Sequence, residues 1–214
     1  TFNMGMEGEF FTHERRDSTY NDNRIDFGYL ALGFPIMKKI GWGASFGVVP
    51  VSRVGYQHRF KPESNLNYSV INSGDGGFSK FYLGNGFKLT DNLRFGFNVG
   101  YMFGEIECSN IYKFRYTESY NNSRKINSTS IGDFTFEGGI QYHQELKKDL
   151  TLSIGASGRM PRDLNITTDE AVFVYPNDPT RSFERLRQIG AVDTVSRSKE
   201  KSDDLRFPGV YKAS

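Results

Sequence analysis

One cysteine, Cys108, is present in the whole chain, so no internal disulfide can form and no cysteine-based metal motif exists. Nowhere do apolar residues run for the ~18 positions that a membrane-crossing helix needs, which excludes a helical membrane protein. Like charges never gather into a block, and the net charge is only +2. Neither nucleic-acid binding nor a polybasic anchor is therefore expected. His13, His58 and His143 are scattered with no ligand spacing, and no serine–histidine constellation accompanies them. The chain is read as non-enzymatic, without a metal or another cofactor. The start, Thr1-Phe2-Asn3-Met4, lacks a basic region followed by an apolar one, and a new apolar segment has only just begun at Val210-Tyr211. A mature or truncated chain is the expectation.

What is present points to strands. Aromatics make up 15% of the chain, with 19 Phe and 12 Tyr, and there are 23 glycines. The mean hydropathy of −0.54 looks soluble. In a membrane barrel, however, outward apolar and inward polar residues cancel along each strand. Leu93, Phe95, Phe97, Val99, Tyr101 and Phe103 alternate without a miss against Arg94, Gly96, Asn98, Gly100, Met102 and Gly104. Strand side chains point to opposite faces with period two, so this stretch has one greasy face and one polar or glycine face. Its length is close to the roughly 9–11 residues of a tilted membrane-spanning strand.

Three hairpins carry the pattern. Ile25–Ile36 pairs with Ile40–Val49 across Met37-Lys38-Lys39, Phe78–Leu89 with Leu93–Ile106 across Thr90-Asp91-Asn92, and Ile131–Leu146 with Leu150–Ile166 across Lys147-Lys148-Asp149. Trp42, Ala44, Phe46 and Val48 oppose a row of Gly and Ser. Phe134, Phe136, Ile140 and Tyr142 oppose Asp133, Thr135, Glu137, Gln141 and His143. In the first hairpin Leu30, Leu32 and Phe34 fall out of phase with Ile25, Phe27 and Tyr29. Long polar excursions, at about 12–24, 107–130 and 167–204, separate the tight turns, and Ser182–Ile189 within the last has a short helical pattern.

Short turns at one rim and long loops at the other are the mark of outer-membrane barrels. The expected fold is all-β: an antiparallel up-and-down transmembrane β-barrel wall forming one domain over 1–214. About eight strands are visible, with Thr1–Phe11 the first and Glu63–Asn72 a further candidate. A soluble β-sandwich or lipocalin-like barrel is the competing architecture.

The hairpin Phe34-Pro35-Ile36 to Gly41-Trp42-Gly43-Ala44-Ser45, the block Leu83–Tyr101, the run Gly132–Ile140 and the step Leu205-Arg206-Phe207-Pro208 resemble the outer-membrane long-chain fatty-acid and hydrocarbon transporters of the FadL/TodX type. The abundance of Asn, Tyr and Lys suggests a Bacteroidetes-like member. That resemblance implies a larger barrel of about 14 strands in a Gram-negative outer membrane, lacking here its inner N-terminal hatch and its last strands. It also implies uptake of hydrophobic small molecules such as long-chain fatty acids, with membrane lipid and that substrate as partners.

In such a transporter the substrate leaves through a kinked wall strand. Pro50 cannot donate to a strand ladder, and Gly47 and Gly55 flank it, so these three are the candidates for a lateral opening. Equally, Pro50 ends the strand where a loop begins. Arg94, Asn98, Asp133, Glu137, Gln141 and Arg159 are candidates to face the lumen, either holding a carboxylate head group or forming a salt-bridge network that fills the interior. Two other functions compete with uptake: a docking shuttle for exported proteins, with secreted proteins as partners, and a soluble lipid-binding β-barrel.

Overall fold

The computed structural model describes all residues except 16–17, 63–66, 116–119, 148–149 and 214. The chain forms a 10-stranded sheet in which every pairing is antiparallel. The strands are β1 (Phe2–Arg15), β2 (Ser18–Met37), β3 (Trp42–Phe60), β4 (Tyr68–Lys88), β5 (Leu93–Phe114), β6 (Asn122–Lys147), β7 (Leu150–Arg159), β8 (Arg162–Tyr175), β9 (Asp193–Phe207) and β10 (Val210–Ala213). One helix, α1 (Phe183–Gln188), lies between β8 and β9. Neighbours in sequence pair from β1 to β7, β10 joins β7, and β8 pairs with both β6 and β9. Among the described residues β1 does not pair with β9 or β10, so this sheet is not closed on itself.

The three hairpins lie where alternation places them, and their register aligns the greasy residues into rows. Leu32, Phe46, Leu83, Val99 and Phe136 follow one another across β2 to β6, as do Leu30, Val48, Phe81, Tyr101 and Phe134. These side chains are half-buried or exposed on one face; Phe95, Phe97 and Phe136 are 40%, 38% and 39% accessible, not gathered into a dry centre. Asn85 is a polar intruder in this face, and the Trp42 indole satisfies it by donating to Oδ1 at 3.2 Å.

The phase slip in β2 has a cause. Gly5 faces Tyr29 and Met6 faces Phe27, which leaves Gly28 as the extra residue of a bulge. A side chain at Gly28 would come within 3.0 Å of the Gly5 carbonyl oxygen. The bulge turns Leu30, Leu32 and Phe34 to the same face as Phe27, so both halves of the strand keep one greasy side.

The regions expected as long loops are largely strand. Residues 12–15 and 18–24 form the tops of β1 and β2, 107–114 and 122–130 belong to β5 and β6, and 167–175 and 193–204 form most of β8 and β9. The start of the candidate strand Glu63–Asn72 lies outside the described residues, while its end is the beginning of β4. Above the greasy band apolar and polar residues are no longer sorted to opposite faces, so period-two alternation disappears although the ladder continues. Past Phe103, for instance, the aromatic side of β5 carries Glu105, Glu107 and Ser109. Cross-strand charges pin such segments instead: Arg197 grips the Asp169 carboxylate with Nη2 at 2.8 Å and Nε at 3.2 Å. The charged run Arg197–Lys201, expected as loop, is the middle of β9.

Helix α1 matches the short helical pattern closely. Ser182 caps it by accepting from the Arg185 amide at 3.2 Å, and Leu186 is buried. Phe183 meets Phe173 and Tyr175 edge-on, with ring centroids 5.6 Å and 5.1 Å away. Burial pushes the Tyr175 hydroxyl above its ordinary pKa. The helix thus packs on the tall end of β6 and β8.

Candidate functional site

Opposite the aromatic rows lies a polar face, and the register sorts its residues. Asn98 of β5 faces Glu137 of β6, which faces Arg159 of β7; Arg94 faces Gln141; Met102 faces Asp133. All six residues expected to face a lumen therefore share one side of the sheet.

Glu137 is the hub. Its Oε1 accepts from Lys80 Nζ at 2.7 Å and from Arg159 Nε and Nη2 at 2.9 Å and 2.8 Å. Lys80 comes from β4, so its stem must cross β5 to arrive. Gly100 is what lets it pass. A Cβ there would lie 2.5 Å from Thr135 Oγ1 and 3.0 Å from Lys80 Cδ. The Arg159 guanidinium also covers the Phe207 ring at 4.5 Å.

Asp133 occupies a gap in the ladder. β7 ends at Arg159 and β8 begins at Arg162, and Pro161 between them has no N–H to give. Met160 still donates to the Phe136 carbonyl at 3.1 Å, but regular pairing with β6 resumes only where Ile131 faces Ile166. Into this gap Asp133 turns a carboxylate that is almost wholly buried. It accepts from the amides of Phe134 (2.7 Å) and Asn165 (3.1 Å) and from Asn165 Nδ2 (2.8 Å), with Arg162 Nη2 at 3.3 Å. A side chain here substitutes for ladder acceptors that the proline-containing strand cannot engage.

The adjacent strand breaks at the same level. β9 stops at Phe207 and β10 starts at Val210, with Pro208 and Gly209 between. Arg162 faces Phe207 on one side of the seam, and Arg159 faces Val210 on the other. Just beyond it the polar face turns apolar: Met102, Ile131 and Leu164 are buried together against Phe78, Ile166 and Phe207.

Gly47, Pro50 and Gly55 behave differently from the expected strand end. β3 runs unbroken through Pro50 and stays paired with β4 on both sides of it, with a register shift between Pro50 and Ser52. Pairing of β3 with β2 ends where Leu30 faces Val48, and beyond that level Arg53 Nη2 reaches the Phe27 carbonyl at 3.3 Å. The space over Gly47 is taken, since a Cβ would meet the Leu30 carbonyl oxygen at 2.4 Å and the Tyr82 ring at 2.8 Å.

Sequence reasoning missed Lys80, Arg162, Asn165 and the seam itself. Two signals were available: Lys80 interrupts the apolar and small residues of its strand, and Pro161 falls inside the segment Leu150–Ile166.

The profile of one protein family, BamG, matches residues 1–214. The chain belongs to the BamG family. That family is named as a component of the β-barrel assembly machinery, BAM, and the name associates the chain with the outer membrane. No curated protein and no solved structure matches the chain.

The BamG match, which spans the whole chain, overturns the resemblance to fatty-acid and hydrocarbon transporters. The segments that carried it are tight turns and aromatic alternation, features that up-and-down membrane strands share whatever they do. Uptake of hydrophobic compounds falls with it, and so do membrane lipid and an apolar substrate as partners; membership of BamG points to proteins of the BAM complex instead. The soluble lipid-binding barrel has nothing to support it, and the export shuttle gives way to assembly of outer-membrane proteins.

Proposed function

We propose that this chain is a wall segment of a membrane-embedded accessory to outer-membrane protein assembly, acting by binding within the BAM complex rather than by catalysis. The family match over residues 1–214 carries this reading.

The sheet supplies its physical form. Among the described residues no helix is long and apolar enough to cross a membrane, a fact that says nothing of strands. The greasy band on β5, Leu93–Phe103, has about the 9–11 residues a tilted strand needs to cross the hydrocarbon. In this reading the band lies in the bilayer and the Lys80–Glu137–Arg159 cluster faces a barrel interior. The tall upper parts of β4, β5, β6, β8 and β9, with α1, stand outside the bilayer on the side of the longer connections. An open edge cannot persist in hydrocarbon, so in this reading both edges of the sheet are paired within the membrane.

Depleting the protein tests the role. Levels of unrelated outer-membrane barrels fall if the chain serves their assembly. Unchanged levels of folded barrels after full depletion would refute it.

A further inference from the structure

Between the Asn98–Glu137–Arg159 row and the tight turns, the polar face holds a concavity of 710 Å³ lined by Arg94, Asn98, Gln141, Ser157, Arg159 and Lys212 among others. Glycines, Gly96 and Gly139 among them, form its floor, and Gly86 continues the row just beyond it. Gly86 faces Gly96, Gly96 faces Gly139, and Gly139 faces Ser157. A Cβ at Gly86 would touch nothing within 4 Å, and one at Gly96 nothing nearer than the Asn85 carbonyl oxygen at 3.4 Å. Packing within the wall does not demand glycine at either place; the space lies above it.

The charge around this floor is one-sided. Glu137 is shared by two cations, Lys80 and Arg159. Arg94 and Lys212 have no hydrogen-bond or ion-pair partner among the described residues, and neither do the side-chain amides of Asn98 and Gln141. Three cations, Arg94, Arg159 and Lys212, therefore line it with a single carboxylate, Glu137, beside two side-chain amides free to bond a peptide backbone. Isolated anions would satisfy the cations but leave the amides and the length of the floor unused.

We infer that this concavity receives an acidic, extended segment of a partner polypeptide. The inference rests on the proposed function for its partner, another protein of the assembly complex, and for the polar face lying away from lipid. Carboxylates of the segment meet Arg94, Lys212 and the outer side of Arg159, and its backbone lies over the glycines against Asn98 and Gln141.

The test uses the whole chain purified in detergent and a fluorescent peptide alternating Asp and Glu with Gly and Ser. The acidic peptide binds with salt-sensitive affinity, whereas a Gln/Asn peptide and a Lys peptide of equal length do not. Arg94→Glu with Lys212→Glu weakens binding by roughly tenfold or more, while Arg94→Lys with Lys212→Arg keeps it. If the charge-reversed protein does not fold, Arg94→Gln with Lys212→Gln is used in its place. Absence of acidic-peptide binding, binding unaffected by these substitutions, equal binding of the neutral peptide, or displacement by inorganic phosphate at matched charge overturns the inference. A chain that co-purifies with the assembly machinery yet ignores the peptide refutes this inference alone. One that binds the peptide but never co-purifies refutes the assembly role alone.

Discussion

Lys80 and Glu137 stand on strands that are not neighbours, and their ion pair of 2.7 Å bridges the strand between them. The bridge exists because Gly100, midway, has no side chain. Three strands are thereby tied at one level of the polar face. Removing Lys80 leaves the half-buried Glu137 carboxylate to Arg159 alone. Lys80→Met destabilises the fold by roughly 1–3 kcal/mol, less than loss of a wholly isolated buried partner because Arg159 remains. Gly100→Ala has a comparable effect through collision rather than charge, since its Cβ would strike Thr135 and the lysine stem. Urea unfolding in detergent measures both, and a double variant no worse than the poorer single one shows that they act on the same bridge.

Asp133 is predicted to matter through the amides it satisfies. In Asp133→Leu the Phe134 and Asn165 amides lose their acceptor within a buried gap, at about 1–3 kcal/mol for each unsatisfied group. Hydrogen exchange at those amides accelerates far more than at the neighbouring ladder. Uniform acceleration across β6 and β8 would show that the carboxylate does not serve the gap specifically.

The helix is held by one buried leucine and an aromatic contact. Leu186→Ala costs about 2–5 kcal/mol of local stability and frees α1 from Phe173 and Tyr175. Limited proteolysis then cuts between β8 and β9 while the greasy band stays intact. Resistance equal to the native protein would mean that the helix is anchored elsewhere.

Acid is expected to loosen the tall end first. The Arg197 guanidinium holds the Asp169 carboxyl below its ordinary pKa, and Arg197 is raised in turn. A lowered carboxylate contributes stability above its unfolded pKa, and that contribution is lost as pH falls through the folded value. Amide exchange in upper β8 and β9 therefore rises below the usual carboxylate range of about 4. The pair is solvent-exposed, so the effect is small. Asp169→Asn removes the pH dependence, and a dependence that survives it would assign the titration to another group.

Where a strand separates a greasy from a polar side, the sequence makes it legible: all three hairpins and the six residues of the polar face follow from period two. Outside the band that contrast vanishes, which is why 107–114, 122–130, 167–175 and 193–204 read as loop although they are strands held by backbone ladders and pairs such as Arg197–Asp169. The Gly28 bulge was visible only as a loss of phase. The Lys80–Glu137 bridge was invisible, because its partners are 57 residues apart and meet across an intervening strand. Function was the least legible of all, since turns and alternation report the geometry of the strands and not the task they serve.

Association with the assembly machinery decides the role of this chain. A tagged copy of the full-length protein, expressed at native level and isolated in mild detergent, should bring with it the core barrel of that machinery in near-stoichiometric yield. Recovery of the chain alone, from membranes in which the machinery itself remains intact, would contradict the account.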